Sequence, residues 1–221
     1  MNFSQQTLDF LFENRLHDSK AWFTEHKDDY KKYVIQPFSE LLLALQPTMT
    51  KIDSSTVVDP KKISRIYKDA RYSHDSVFRD DVWYNFSRCV GSDVAPTYYI
   101  VIGRGQLEYG CGFYAAGSAI METMRNMIIN DDPVAKKALS AYKKQDTFTL
   151  CGDMFKRNRF ADYSAEKQDW LNRKSIFLSY TTNDGSIIFD PQLWQRIAED
   201  FIKVKPIYQL FVKAQNTARD N

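Results

Sequence analysis

PTYYIVIGRGQLEYGCGFY, residues 96–114, carries the strongest strand signal in the chain. A run of aromatic and β-branched residues from Thr97 to Ile102 meets Gly103-Arg104-Gly105, and a second run follows from Gln106 to Tyr114. Two extended segments joined by so short a glycine-rich connection read as a hairpin, and a hairpin is antiparallel. Gly110 and Gly112, inside the second segment, signal a bulge or a close approach of another backbone.

Outward from that hairpin the chain alternates between strand and helix signals. Upstream, β-branched and aromatic residues predict strands over residues 62–68 and from Trp83 to Val90. Downstream, short strands are expected at Thr147 to Cys151 and at Ser175 to Tyr180. The first part of the chain is helical. Leu8, Leu11, Phe12 and Leu16 recur at three- and four-residue spacing after a Ser4 cap, predicting a helix that ends near His17. Asp18 or Ser19 then caps a second helix with an aromatic face at Trp22, Phe23, Tyr30 and Tyr33, and Pro37 marks a break or a fresh start. A third helix covers Phe38 to Leu45, with Pro47 expected to close it within a turn or so. Beyond the hairpin, helices are expected from Ser118, where Ile120, Met121, Met124, Met127 and Ile128 form a core stripe, from Pro133 to about Tyr142, and from Ser164 through Trp170. Asp190-Pro191 starts the last helix, which carries Leu193 through Val212 and is expected to bend at Pro206.

The pattern is α+β: a single domain over residues 1–221, built as a mostly antiparallel curved sheet with N-terminal helices and a C-terminal helix packed on it. Within it, residues 1–52 are helical, 57–115 β-rich and 116–221 mixed. A chain of 221 residues with 43% hydrophobic and 26% charged side chains has the composition of a globular protein. No apolar run approaches the roughly 20 residues that cross a bilayer, and MNFSQQTLDF has neither the basic start nor the apolar stretch of a secretory signal, so a cytoplasmic protein without a membrane partner is expected. Cys89, Cys111 and Cys151 lack CxxC spacing and read as small buried hydrophobes.

Charge is not spread evenly. From Lys61 to Arg79, KKISRIYKDARYSHDSVFR, six Lys and Arg stand against two Asp, a local formal charge of +4 on a chain whose net charge is +2.

Short motifs along nearly the whole chain carry a resemblance: AWFTEHKDDYKKYVIQPF at 21–38, SRIYKDARYSHD at 64–75, GCGFYAA at 110–116, MRNMI at 124–128, GDMFKRNR at 152–159, WLNRK at 170–174 and KPIYQLFVKA at 205–214. In that order they resemble domain of unknown function family 2461. The resemblance implies one mixed α+β domain and carries no activity with it.

Chemistry therefore has to come from the residues. On a strand over 62–68, Arg65, Tyr67 and Asp69 would share one face, with Ile66, Lys68 and Ala70 on the other. Arginine binds phosphate and carboxylate in a bidentate manner, so an arginine-rich sheet face is a candidate site for an anionic small molecule or a nucleic-acid phosphate, with Arg65, Lys68, Arg71, Tyr72, Arg79, Lys156 and Arg157 as the residues that would bind it. Arg125, Arg159 and Lys174 are further basic residues available to it. Two other readings stand beside that one. An enzyme acting on a phosphorylated or carboxylated substrate would use Asp69, His74 or Asp75 as acid and base; alternatively, Arg65, Asp69, Arg71 and Asp75 form a structural ion-pair network with no ligand.

Tyr67, Tyr72, Tyr98, Tyr99, Tyr109 and Tyr114 interleave with the cations, as in a surface for single-stranded nucleic acid, but an isoelectric point of about 8.3 argues against that partner. His17, His26 and His74 have no zinc-ligand spacing, and the adjacent carboxylates Asp28-Asp29 and Asp80-Asp81 read as solvated surface, so neither metal nor cofactor is expected.

Overall fold

Helix α1, Gln5–His17, starts where Ser4 and Thr7 bond to each other: the Ser4 amide donates to Thr7 Oγ1 at 3.2 Å. It ends at Asp18, which takes the left-handed conformation (φ 46°) and donates its amide to the Asn14 carbonyl at 3.0 Å. Ser19 then caps α2, Lys20–Glu25, by accepting from the Trp22 amide. In the computed structural model, which describes residues 3–71, 75–88, 95–103 and 106–220, the chain continues through a short α3, Lys27–Asp29, and a π-helical turn, Tyr30–Ile35, into α4, Gln36–Ile52.

Pro37 sits in the first turn of α4, and the helix runs five residues past Pro47, to Ile52. The carbonyl that Pro47 leaves without its helical donor belongs to Leu43, which is 50% exposed, so water can take the place of the missing amide. Phe38, Leu41, Leu42 and Leu45 on the opposite face are fully buried, each contributing about 1.5–3 kcal/mol of transfer free energy. That anchorage holds the helix through the proline.

An open antiparallel sheet has the order β1-β2-β3-β5-β4, so the molecule is an α+β domain with helices at both ends of the chain. β2, Thr97–Gly103, and β3, Gln106–Gly112, are neighbours, as the hairpin reading requires. Tyr98, Ile100 and Ile102 on one strand and Leu107, Tyr109 and Cys111 on the other are buried at every second position. β1 is Asp81–Phe86; Cys89 and Val90, also expected near it, lie outside the described residues, as do Arg104 and Gly105 of the turn. β4, Thr149–Cys151, pairs antiparallel with β5, Phe177–Thr182, Leu150 opposite Leu178. Gly112 makes the close approach its sequence suggested: a Cβ there would stand 2.4 Å from the Phe177 Cα.

One expected strand is absent. Residues 62–68 form no ladder: Pro60–Lys62 is a 3-10 turn, and beyond it Tyr67 makes a single antiparallel bridge with Phe78. Ile63 and Ile66 are both buried, three residues apart, which a period-two strand cannot do. The cationic stretch is therefore not a sheet face.

Two compact units can be distinguished. The first comprises Met1–Phe86, Tyr99–Tyr109 and Thr181–Ala198. Its helical part and the 65–79 segment share an aromatic cluster, in which Phe23 lies 5.4 Å from Tyr30, 5.4 Å from Tyr67 and 5.1 Å from Phe78. Burial raises the Tyr30 hydroxyl pKa well above its ordinary value.

The second unit comprises Ser87–Tyr98, Gly110–Tyr180 and Glu199–Asn221. Here α9, Lys205–Asp220, packs on α5, Ser118–Ile129, and α6, Pro133–Lys143. Met121, Met124, Met127 and Ile128 of α5 are buried, and Tyr98 lies 4.6 Å from Phe201 and 4.8 Å from Tyr208. In chain order α7, Ala165–Leu171, and α8, Leu193–Lys203, come between α6 and α9. Pro206 stands in the first turn of α9, so α8 and α9 are separate helices and not one bent helix.

Candidate functional site

The 65–79 segment is shaped by a few long-range bonds. Ser64 fixes its start: its amide donates to the Trp83 carbonyl at 2.9 Å, and its hydroxyl accepts from the Trp83 amide at 2.8 Å. Around the Tyr67–Phe78 bridge, the Lys68 amide donates to Val77 and the Arg79 amide to Ile66, at 2.9 and 2.8 Å. The far end is held by Asp18. Its carboxylate accepts the amides of Val77 and Phe78, both at 2.9 Å, across about 60 residues of sequence. The left-handed turn that ends α1 is thus also the clamp on this segment.

Within that frame, Asp69 is the centre of the arginine group. Arg71 grips it with two parallel bonds, Nε to Oδ1 at 3.0 Å and Nη2 to Oδ2 at 2.6 Å. Arg71, then its backbone amide, then the charges of Arg65 and Arg79 hold the Asp69 carboxyl below the usual carboxylate range. One carboxylate thus stands among three guanidiniums. Arg65 is exposed and forms no ion pair or hydrogen bond among the described residues; Arg79 forms neither through its side chain, and its guanidinium lies 4.6 Å from the Trp83 ring centroid. Arg79 Nε is buried without a hydrogen-bond partner.

Lys68 faces a different way. Its ammonium donates to Ser76 Oγ and lies 3.7 Å from Asp75, beside a cleft of about 360 Å³ bounded by Asp18, Lys20, Tyr67 and Val77. Asp75 is also held below its ordinary range, first by its own backbone amide and then by Lys68. Asp69 and Asp75 are therefore ionised acceptors at neutral pH, poorly suited to donate a proton. Asp81, at the start of β1, behaves oppositely: burial and then the neighbouring Asp80 raise its carboxyl, against the pull of Arg79 and Lys68.

Of the residues singled out from sequence, Arg65, Asp69, Arg71 and Arg79 share one neighbourhood, and Lys68 and Asp75 meet at the adjoining cleft. Tyr72 and His74 lie outside the described residues. Lys156 and Arg157 are exposed residues of the second unit. Tyr98 and Tyr109 are 1% and 0% exposed and pack in the core, so neither offers a face for a base, while Tyr67 is 39% exposed. Asp18, Trp83 and Asp81 were missed as members of the neighbourhood. Asp18 showed only a capping signal, and nothing in local periodicity announces a bond to residue 77. Among the described residues, no group of three His, Cys, Asp or Glu is placed to hold a metal ion.

Comparison with known proteins gives one result. A family model described as conserved hypothetical protein (DUF2461) matches residues 6–210. No curated protein matches the chain.

Proposed function

The chain belongs to the family of conserved hypothetical proteins (DUF2461), so its function has to be argued from its own residues, and we propose that it is a binding module for an anionic small molecule bearing phosphate or carboxylate, held by Arg65, Arg71 and Arg79. The observation that carries this reading is the single carboxylate of Asp69 among three guanidiniums, two of which have no ion pair of their own. Such an arrangement leaves positive charge uncompensated on planar groups that each carry several donors. The cytoplasm is the setting we assign to it; no helix among the described residues is long and apolar enough to cross a membrane.

Calorimetric titration with inorganic phosphate and with citrate at low ionic strength tests the proposal. Wild type should bind at least one of them, and the Arg65→Ala/Arg79→Ala double variant should take up one equivalent fewer, with circular dichroism unchanged. Equal binding by both proteins, or none by wild type, overturns it.

The structural alternative is an ion-pair network of Arg65, Asp69, Arg71 and Asp75 with no ligand. The Arg71–Asp69 pair supports it, whereas Asp75 pairs with Lys68 and Arg65 has no ion pair among the described residues, which favours the ligand reading.

A further inference from the structure

The second unit contains an arginine pair of a different kind. Phe155 follows β4 on a loop, and its ring carries two guanidiniums: Arg159 with its central carbon 3.9 Å from the ring centroid, and Arg125, from α5, at 5.1 Å. Both cations are held by firmly placed backbone. Arg125 donates from Nε to the Leu171 carbonyl at 3.0 Å and from Nη2 to the Arg173 carbonyl at 2.6 Å, two acceptors at the end of α7. The loop under Arg159 is pinned by Asn172, only 5% exposed: its carbonyl accepts from the Phe155 amide at 2.8 Å and its Oδ1 from the Arg159 amide at 2.9 Å.

What is missing is a counter-charge. Neither guanidinium forms an ion pair among the described residues. The carboxylate of Asp169 is taken by Arg173 at 2.8 Å, and Glu122 on α5 acts on Arg125 only at longer range. Among the described residues, Arg159 donates none of its five guanidinium N–H groups, and Nη1 of Arg125 is equally unused. Burial and the charge of Arg159 both lower the Arg125 pKa, so the two cations are held together against their mutual repulsion. Lys156 and Arg157 are exposed on the same loop and add positive charge.

We infer that Arg125 and Arg159, braced on Phe155, form a second oxyanion site, one that takes the phosphoryl group of a phosphate monoester. A phosphoryl dianion relieves the repulsion between the cations, and its three terminal oxygens can accept from two guanidiniums approaching from different directions; a carboxylate has two oxygens in one plane. This site is independent of Arg65, Arg71 and Arg79.

Phenyl phosphate is the probe, titrated at low ionic strength into wild type, Arg159→Ala, Arg159→Lys and an Arg65→Ala/Arg79→Ala background. Arg159 is exposed, so its removal should leave the fold intact, which circular dichroism checks. In the Arg65/Arg79 background one bound equivalent should persist; adding Arg159→Ala should weaken it at least tenfold, and Arg159→Lys, which keeps the charge without the planar donors, should weaken it less. The Nε–H resonances of Arg125 and Arg159 should shift on binding. Unchanged affinity and stoichiometry in Arg159→Ala, or no binding in the Arg65/Arg79 background, overturns the inference. So does binding of a single-stranded oligonucleotide with none of phenyl phosphate. If wild type and the Arg65/Arg79 background bind alike while Arg159→Ala loses binding, the first site fails and this one stands.

Discussion

The two arginine groups differ in how their charge is balanced. Around Asp69 the cations are close in sequence and share a carboxylate, with Arg71 tied to it through two parallel bonds. Around Phe155 the two guanidiniums come from residues 34 apart in the chain, rest on one ring, and have no carboxylate within ion-pair distance among the described residues. A dense run of arginine and lysine is therefore partly balanced by the aspartates that travel with it, whereas the sparser pair has none beside it among the described residues.

The largest test of that comparison strikes the base of the second group. Gly152, at φ 120°, passes so close to the 175–176 backbone that a Cβ would stand 1.9 Å from the Ser175 carbonyl oxygen, and its own carbonyl accepts from Arg173 at 3.0 Å. Gly152→Ala should destabilise the protein by about 3 kcal/mol or more, measured by urea unfolding. If the variant is as stable as wild type, the support beneath Phe155 is not rigid and the contrast weakens.

An intermediate effect is expected where the first group is clamped. Asp18→Ala removes a charged acceptor shared by two amides and places alanine at a left-handed φ of 46°, so a loss of about 2–3 kcal/mol should appear as a fall in Tm of roughly 4–12 °C. Asp18→Gly relieves the backbone strain but not the lost acceptor, and should recover only part of the difference.

The smallest effect belongs to the Asp69–Arg71 pair. Both side chains reach water, and Arg71→Ala should leave the urea-unfolding midpoint nearly unchanged at neutral pH. The pH dependence has a definite sign. A carboxyl held below its ordinary value contributes stability above its unfolded pKa of about 3.9, and that contribution is lost as pH falls through the lower folded value. Acid titration of wild type against Arg71→Ala should therefore converge below that window. A large loss at neutral pH in Arg71→Ala would mean that the arginines around Asp69 hold the fold rather than a ligand.

The hairpin at 97–112 was legible because period-two burial in paired strands is a local pattern, and Tyr98, Ile100 and Ile102 follow it. Residues 62–68 were misread for a related reason. Their composition is that of a strand, but the chain bends at Ile63 and Ile66 and pairs at one bridge, a result of where Trp83 and Val77 stand. How far α4 runs past Pro47, to Ile52, was not legible because the exposure of Leu43 depends on what the helix packs against.

The α+β class, the antiparallel hairpin and most helix starts were readable from residue order, because caps and periodicity act over a few residues. Only the tertiary structure decided that Asp18 clamps residues 77 and 78, that Tyr98 and Tyr109 are core, and that Arg125 and Arg159 meet on Phe155. Those depend on contacts between distant segments, and whether a charge ends up balanced is a property of such contacts rather than of the residues that carry it.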